Sequence, residues 1–202
     1  MKRLIVFYLI ICSSYFSQSQ EYVKNIKGYV VIEGSLDSKI KSTSALLYLY
    51  ELLGNTEYLL DSTKVVNGSF TFDKQTYYTG VYRLCFKNAS NALDFIINPA
   101  ELKNGNIIIQ INNYRIKKGY HILNSVENKI KQSYTVKEES INSKLKLIRK
   151  SQKTRDQKMQ EMKDLQNELF EYGLSLNNQY PGTYYGMIIS HMQSQYNNIA
   201  HH

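Results

Sequence analysis

From Tyr22 to Ile111 apolar and polar positions alternate in short runs broken by turn residues, and from Ser125 onward the apolar spacing stretches to three and four. The first pattern is that of half-buried strands, the second that of helices with one buried face. The most regular alternation flanks Asn67-Gly68, in Asp61 to Asp73 (DSTKVVNGSFTFD). Asn-Gly is the strongest short signal for a two-residue hairpin turn, because Asn tolerates positive φ and Gly adopts it freely. With that turn in place, Val66 faces Ser69, Val65 faces Phe70, Lys64 faces Thr71 and Thr63 faces Phe72. Val65, Phe70, Thr63 and Phe72 then share one face, which an antiparallel ribbon has to bury.

The neighbouring runs read in the same way. Asn25 to Glu33 (NIKGYVVIE) is a β-branched strand in which Gly28 marks a bulge. Gly34 to Thr43 is polar and turn-like. Ala45 to Leu53 (ALLYLYELL) is apolar on both faces, as in a central strand, although Ala and Leu suit a helix as well. Glu57 to Leu60 leads into the hairpin. Gly80 to Lys87 sets Tyr82, Leu84 and Phe86 on one side, and Leu93 to Ile97 is a strand ended by Asn98-Pro99. Asn104-Gly105 is a second turn signal, and Ile107 to Ile111 closes the series. About six to eight short strands at this spacing predict an antiparallel β-sandwich or open barrel over residues 21–122.

Residues 123–202 form a helical segment. Ser125 is placed as an N-cap, with Glu127 favourable in the first turn. Ile141, Leu145 and Ile148 recur at helical spacing, and Met159, Met162, Leu165, Leu169, Tyr172 and Leu176 continue a stripe. Between them Arg149 to Lys158 (RKSQKTRDQK) has no apolar residue, which reads either as the turn of a helical hairpin or as an exposed middle section. Pro181-Gly182 ends the second helix, and Thr183 caps a third carrying Tyr184, Met187, Ile188 and Met192. The fold class is therefore α+β, a β-domain followed by a helical hairpin or three-helix segment. The stripe reads first as a core face. A homodimer through the helices is the alternative, although the stripe falls short of the clean heptads that define a coiled coil.

The first twenty residues stand apart from both patterns. Lys2 and Arg3 precede an apolar run, Leu4 to Ile11, and a small polar stretch, Ser13 to Gln20. That order is a signal peptide over residues 1–20, and the run is well short of the ~20 residues that span a bilayer. Cys12 would be the attachment point of a lipid anchor. Ile11 before it is bulkier than the residue lipoprotein processing accepts, so export without a lipid is preferred. The expected location is periplasmic, outer-membrane-associated or secreted, with no transmembrane segment after leader removal.

Charge and chemistry change this picture little. The formal net charge is +8, two of it in the leader. The lysines are scattered, without dense basic blocks or arginine-aromatic interleaving, so nucleic acid is not an expected partner. Cys85 is the one cysteine outside the leader, which excludes an internal disulfide and a C-x-x-C pair. With no neighbouring histidine or helix start to activate it, it reads as a small buried hydrophobe. His121, His191, His201 and His202 lie in no zinc spacing, and neither a nucleophile elbow nor a phosphate loop is present. Asp61 and Asp73 flank the hairpin, where aspartate is ordinary, and Asp94 is a third isolated carboxylate. Eighteen tyrosines and no tryptophan would suit a sugar- or protein-binding surface, although tyrosine also simply fills half-buried strand positions. No catalytic, cofactor-binding or metal-binding residue is assigned, and the protein is read as non-catalytic.

A series of short motifs carries a family resemblance: a strand with an internal glycine (Ile26 to Ile32), an Asp-led strand running into Asn67-Gly68-Ser69-Phe70-Thr71-Phe72, and Tyr82-Arg83-Leu84. It resembles an N-terminal β-domain of unknown function in secreted Bacteroidota proteins, where it often precedes a thioredoxin-like domain. Phe16-Ser17-Gln18 resembles the end of flavobacterial leaders, and Tyr180-Pro181-Gly182-Thr183 resembles a Pro-small motif of that family's helical segment. The resemblance covers most of residues 21–195. It implies an envelope binding or accessory module with a protein partner, or an accessory or truncated member of a periplasmic thiol-disulfide oxidoreductase system. A cell-surface carbohydrate- or protein-binding module is the further alternative. The family's C-x-x-C pair belongs to the thioredoxin-like domain, so no catalytic residue carries over to this chain.

Overall fold

A computed structural model describes residues 27–37, 45–86, 92–112, 116 and 119–200. Among them are eight strands: β1 (Lys27–Leu36), β2 (Leu46–Leu53), β3 (Thr56–Lys64), β4 (Ser69–Tyr78), β5 (Gly80–Phe86), β6 (Ala92–Ile97), β7 (Asn106–Ile111) and β8 (Tyr120–Ile122). They form two four-stranded sheets, one in the order β4-β1-β7-β8 and the other β3-β2-β5-β6. Ile32, Phe72, Ile107 and Ile109 of the first sheet and Leu47, Leu49, Leu84 and Phe95 of the second are fully buried in one cluster. This is the expected sandwich, open at its edges. One ladder departs from the antiparallel expectation: β1 and β7 run parallel, Val31 opposite Asn106 through Leu36 opposite Ile111. Parallel neighbours need a long crossover, and here the chain from β2 to β6 supplies it.

The Asn67-Gly68 turn is present, with φ of 53° and 77°. Val66 and Ser69 exchange backbone hydrogen bonds of 2.8 and 2.9 Å across it. Beyond that pair the expected hairpin register fails. Lys64 and Thr63 pair with Leu46 and Leu47, whereas Phe70 and Phe72 pair with Gly34 and Ile32. The turn is a corner at which the chain passes from the edge of one sheet to the edge of the other. The amide of Val65 still donates to Ala45 in the second sheet (2.9 Å), and that of Leu36 donates to Gly68 in the first (2.7 Å). The alternation persists through the corner because both sheets face the same core: Val65, Phe70 and Phe72 are buried and Thr63 is half-buried.

Ala45 to Leu53 resolves as strand. The turn-like reading of Gly34 is corrected, since β1 continues through Leu36. A Cβ on Gly34 would lie 2.3 Å from the carbonyl oxygen of Ile109 and 2.3 Å from the ring of Phe70, so the ring packs on bare backbone. The bulge expected at Gly28 lies instead between Val30 and Ile32, and Gly28 packs against Pro99.

The helices are α1 (Val126–Lys150), α2 (Arg155–Gln179) and α3 (Tyr184–Ala200). Ser125 caps α1, its hydroxyl accepting from the Asn128 amide at 3.1 Å. The apolar-free gap is a turn between two helices: Thr154 and Gln157 form a reciprocal capping box at the start of α2. Thr183 accepts from the Gly186 amide at 3.2 Å and so caps α3. The chain divides into two compact units between Asn128 and Lys129. In the second, Ile130, Tyr134, Leu176 and Ile189 form a buried cluster flanked by Leu169, Tyr172, Tyr185 and Met192. Met159, at the far end of the stripe, is 59% exposed. No helix of the described residues is long and apolar enough to cross a membrane.

Candidate functional site

Strand alternation sorts the second sheet into two chemistries. Leu47, Leu49, Leu84, Phe86, Leu93 and Phe95 point into the core, which leaves Tyr48, Tyr50, Arg83, Cys85 and Asp94 on the outer face. The register then lines up Tyr50, Arg83 and Asp94 across β2, β5 and β6, with Tyr48 and Cys85 in the next row. Arg83 holds Asp94 through two bonds, Nε to Oδ1 at 2.6 Å and Nη2 to Oδ2 at 2.8 Å. Its Nη1 reaches Glu57 of β3. The bonds to Asp94 hold the guanidinium charge in place and outweigh the opposing effect of its partial burial. Beside this triad the Tyr48 and Tyr50 rings lie 6.4 Å apart at 34°.

Cys85 is half-buried, less enclosed than expected. Burial, with Glu57 as a second cause, pushes its thiol up despite the neighbouring Arg83, so the thiolate that would do chemistry is scarce at neutral pH. Arg83 is occupied by two carboxylates and is not free to take an anion. The face therefore offers aromatic surface and fixed hydrogen-bond groups for binding.

A second polar cluster joins the sandwich to the start of α1. Glu101 accepts from the Ser125 hydroxyl at 2.5 Å and from the amides of Val126 and Glu127 at 2.9 and 3.1 Å. Asn98 donates to Glu127 at 2.8 Å. The Asn128 side chain accepts from the Ile96 amide at 2.8 Å and donates to its carbonyl at 2.7 Å, occupying the edge of β6 as a neighbouring strand would. Burial raises the Glu101 carboxyl above its ordinary range, although its donors favour the charged form. The cluster is structural: every group in it is committed to holding the helix start on the sheet.

The residues singled out from sequence scatter. His121 is exposed on β8 and His191 half-buried in α3, while His201, His202 and Cys12 lie outside the described residues. Asp61 accepts from Gln75 Nε2 at 2.9 Å, bridging the edge strands of the two sheets, and Asp73 is exposed on β4. Only Asp94 and Cys85 meet on one face. The buried Tyr77 hydroxyl has no hydrogen-bond partner among the described residues, and burial pushes it up to about 12, which keeps it protonated. Between α1 and α2 a shallow cleft of about 310 Å³ is lined by Lys144, Glu161, Asp164, Glu168 and two aliphatic residues. Lys144 pairs with Glu168 at 3.7 Å there, while Glu161 pairs with Lys153 and Asp164 accepts from Gln160 at 2.8 Å. No group of three metal-ligating side chains occurs among the described residues. Sequence reasoning missed Arg83, Glu57, Tyr48 and Tyr50. Their signal was the tyrosine at alternate positions of ALLYLYELL, which places two of them on one face once that run is a strand.

Fold and face together define a β-sandwich module with an appended helical segment. The chain belongs to the family described as a domain of unknown function (DUF4369), whose model matches residues 30–130, half of the chain. That span includes Asn128 and the capped start of α1 along with the sandwich. No curated protein matches the chain. Among solved structures, the oligosaccharyltransferase of Archaeoglobus fulgidus, in complex with zinc and sulfate, is similar over 42% of this chain and 11% of its own, with 19% identity and a TM-score of 0.26. A likeness that low carries no argument about this protein.

Proposed function

We propose that this protein is a non-catalytic, exported module of the cell envelope that binds a protein partner through the outer face of its second sheet. The observation that carries this reading is the Tyr48–Tyr50 pair beside the Glu57–Arg83–Asp94 triad. Tyrosine pairs give large contact area at little entropic cost, and a self-neutralised ion group fixes orientation without repelling a partner. Export rests on the leader over residues 1–20. The accessory reading, in which the partner is a thioredoxin-like oxidoreductase, rests on the family resemblance. It agrees with the poor nucleophilicity of Cys85, which leaves any redox chemistry to the partner. The test is purification of the tagged protein from envelope fractions of its native host, alongside a Tyr48→Ala/Tyr50→Ala variant that melts at the same temperature. A stoichiometric protein partner lost in the variant is the expected result, and a thioredoxin-like partner would select the accessory role. Binding of oligosaccharides on a glycan array, lost in the same variant, would replace the protein partner with a carbohydrate. Recovery of the wild type alone, with no ligand on either assay, would overturn the proposal.

A further inference from the structure

Within the face marked by the tyrosine pair, the corner around Glu57 keeps chemistry to spare. Arg83 gives Nε and Nη2 to the two oxygens of Asp94, at 2.6 and 2.8 Å, and Nη1 to Oε1 of Glu57. The guanidinium is thereby committed, while two carboxylates share its one positive charge. Oε2 of Glu57 accepts from no group among the described residues, and the side chain is 47% exposed. The register sets an apolar track beside it. Leu59, 57% exposed, stands opposite Tyr50, and Ser62 stands opposite Tyr48, so these side chains project to one side of the ladder. The negative excess reaches along the track: burial raises the Tyr50 hydroxyl, and Cys85, Tyr48 and Glu57 push it the same way. Lys64, opposite Leu46, lies three rows from Glu57 at the far end of the strand.

We infer that this corner takes a lysine side chain of the protein partner, an inference that rests on the binding face proposed above. An excess negative charge with an unspent acceptor calls for a cation. A strip of leucine and tyrosine beside that acceptor suits a long methylene stem with the charge at its tip, which also meets the ring electrostatically. Arginine is the poorer fit. Its fork takes two parallel acceptors, and three of the four carboxylate oxygens here are already bonded to Arg83. An ammonium needs only one. The stem lies across Leu59 and Tyr50, and the ammonium donates to Oε2 of Glu57. Such a contact fixes the partner's orientation, while the tyrosines supply the area.

The probe is the peptide acetyl-Gly-Lys-Gly-amide, titrated to about 20 mM into the labelled, leader-free chain and followed by NMR, since one exposed ion pair with an aromatic contact is weak. Shifts at Leu59, Tyr50 and the Glu57 carboxyl are expected. The counterpart with norleucine keeps the stem, lacks the charge, and should cause none. Glu57→Gln can still accept from Arg83 and should weaken the lysine peptide about fivefold, with circular dichroism melts confirming that the variant is folded. No shifts with the lysine peptide, equal shifts with norleucine, or binding unchanged in Glu57→Gln would each overturn the inference. The broader reading is tested apart from this one. A partner purified equally with the wild type and Glu57→Gln, yet lost in the Tyr48→Ala/Tyr50→Ala variant, would keep the protein-binding face and remove the lysine.

Discussion

The sandwich and the helical unit solve the same burial problem at different ranges. In the sandwich the β1–β4, β1–β7 and β2–β5 ladders link residues far apart in sequence, and side chains from both sheets meet in one cluster. In the helical unit the order is local. Each helix starts at its own cap, and the buried cluster of Ile130, Tyr134, Leu176 and Ile189 is ringed by half-buried tyrosines, Leu169 and Met192. Long-range pairing concentrates stability in apolar contacts that cannot be removed singly. Local helices spread it over caps and surface contacts that can.

The sharpest way to break that contrast is to hollow the sandwich. Phe72→Ala removes a fully buried ring and should cost about 3–5 kcal/mol in denaturant unfolding. A loss comparable to a surface substitution would mean that the two sheets do not share a core. Next in size is Asn128→Ala, which leaves the buried peptide groups of Ile96 without partners and should cost about 1–3 kcal/mol. Hydrogen exchange at Ile96 should rise more than exchange at the centre of β5.

Glu101→Gln probes the same junction through pH. Burial raises the folded-state pKa of Glu101, so its stabilising protonated form dominates below the ordinary carboxylate value and is lost as pH rises through the raised one. Wild-type stability should therefore fall across that window relative to Glu101→Gln. Parallel curves would show that the carboxyl is solvated. The smallest effect belongs to the helices. Lys137 contacts Glu168 at 2.5 Å and is the main cause of that carboxyl lying below its usual range. Lys137→Ala should leave the melting temperature nearly unchanged, while the Glu168 titration moves upward by NMR.

The legibility of the two units follows the same division. Caps at Ser125, Thr154 and Thr183 are set by residues within one turn, and the helices fall where the pattern puts them. Alternation likewise identified the inward faces of β4 and β5. Alternation does not say which strand lies alongside. Val65 and Phe70 look like facing hairpin residues whether they pair with each other or, as here, with two different sheets across a shared core. The parallel β1–β7 ladder left no local trace for the same reason. At the candidate site, the outward tyrosines of β2 were readable from spacing alone. The convergence of Glu57, Arg83 and Asp94 required the order β3-β2-β5-β6, which no stretch of sequence encodes by itself.

The parallel ladder also sets an order of events in folding. β1 sits between β4 and β7, and Val31 waits for Asn106, a partner made much later as the chain is synthesised from its N-terminus. Until β7 arrives, β1 has at most one neighbour and its apolar face remains open to others. Closing so long a loop is entropically slow, and the rate should be limited by this step and not by the helices. The chain's most vulnerable moment therefore falls before β7 is made, when one edge of β1 is still unpaired.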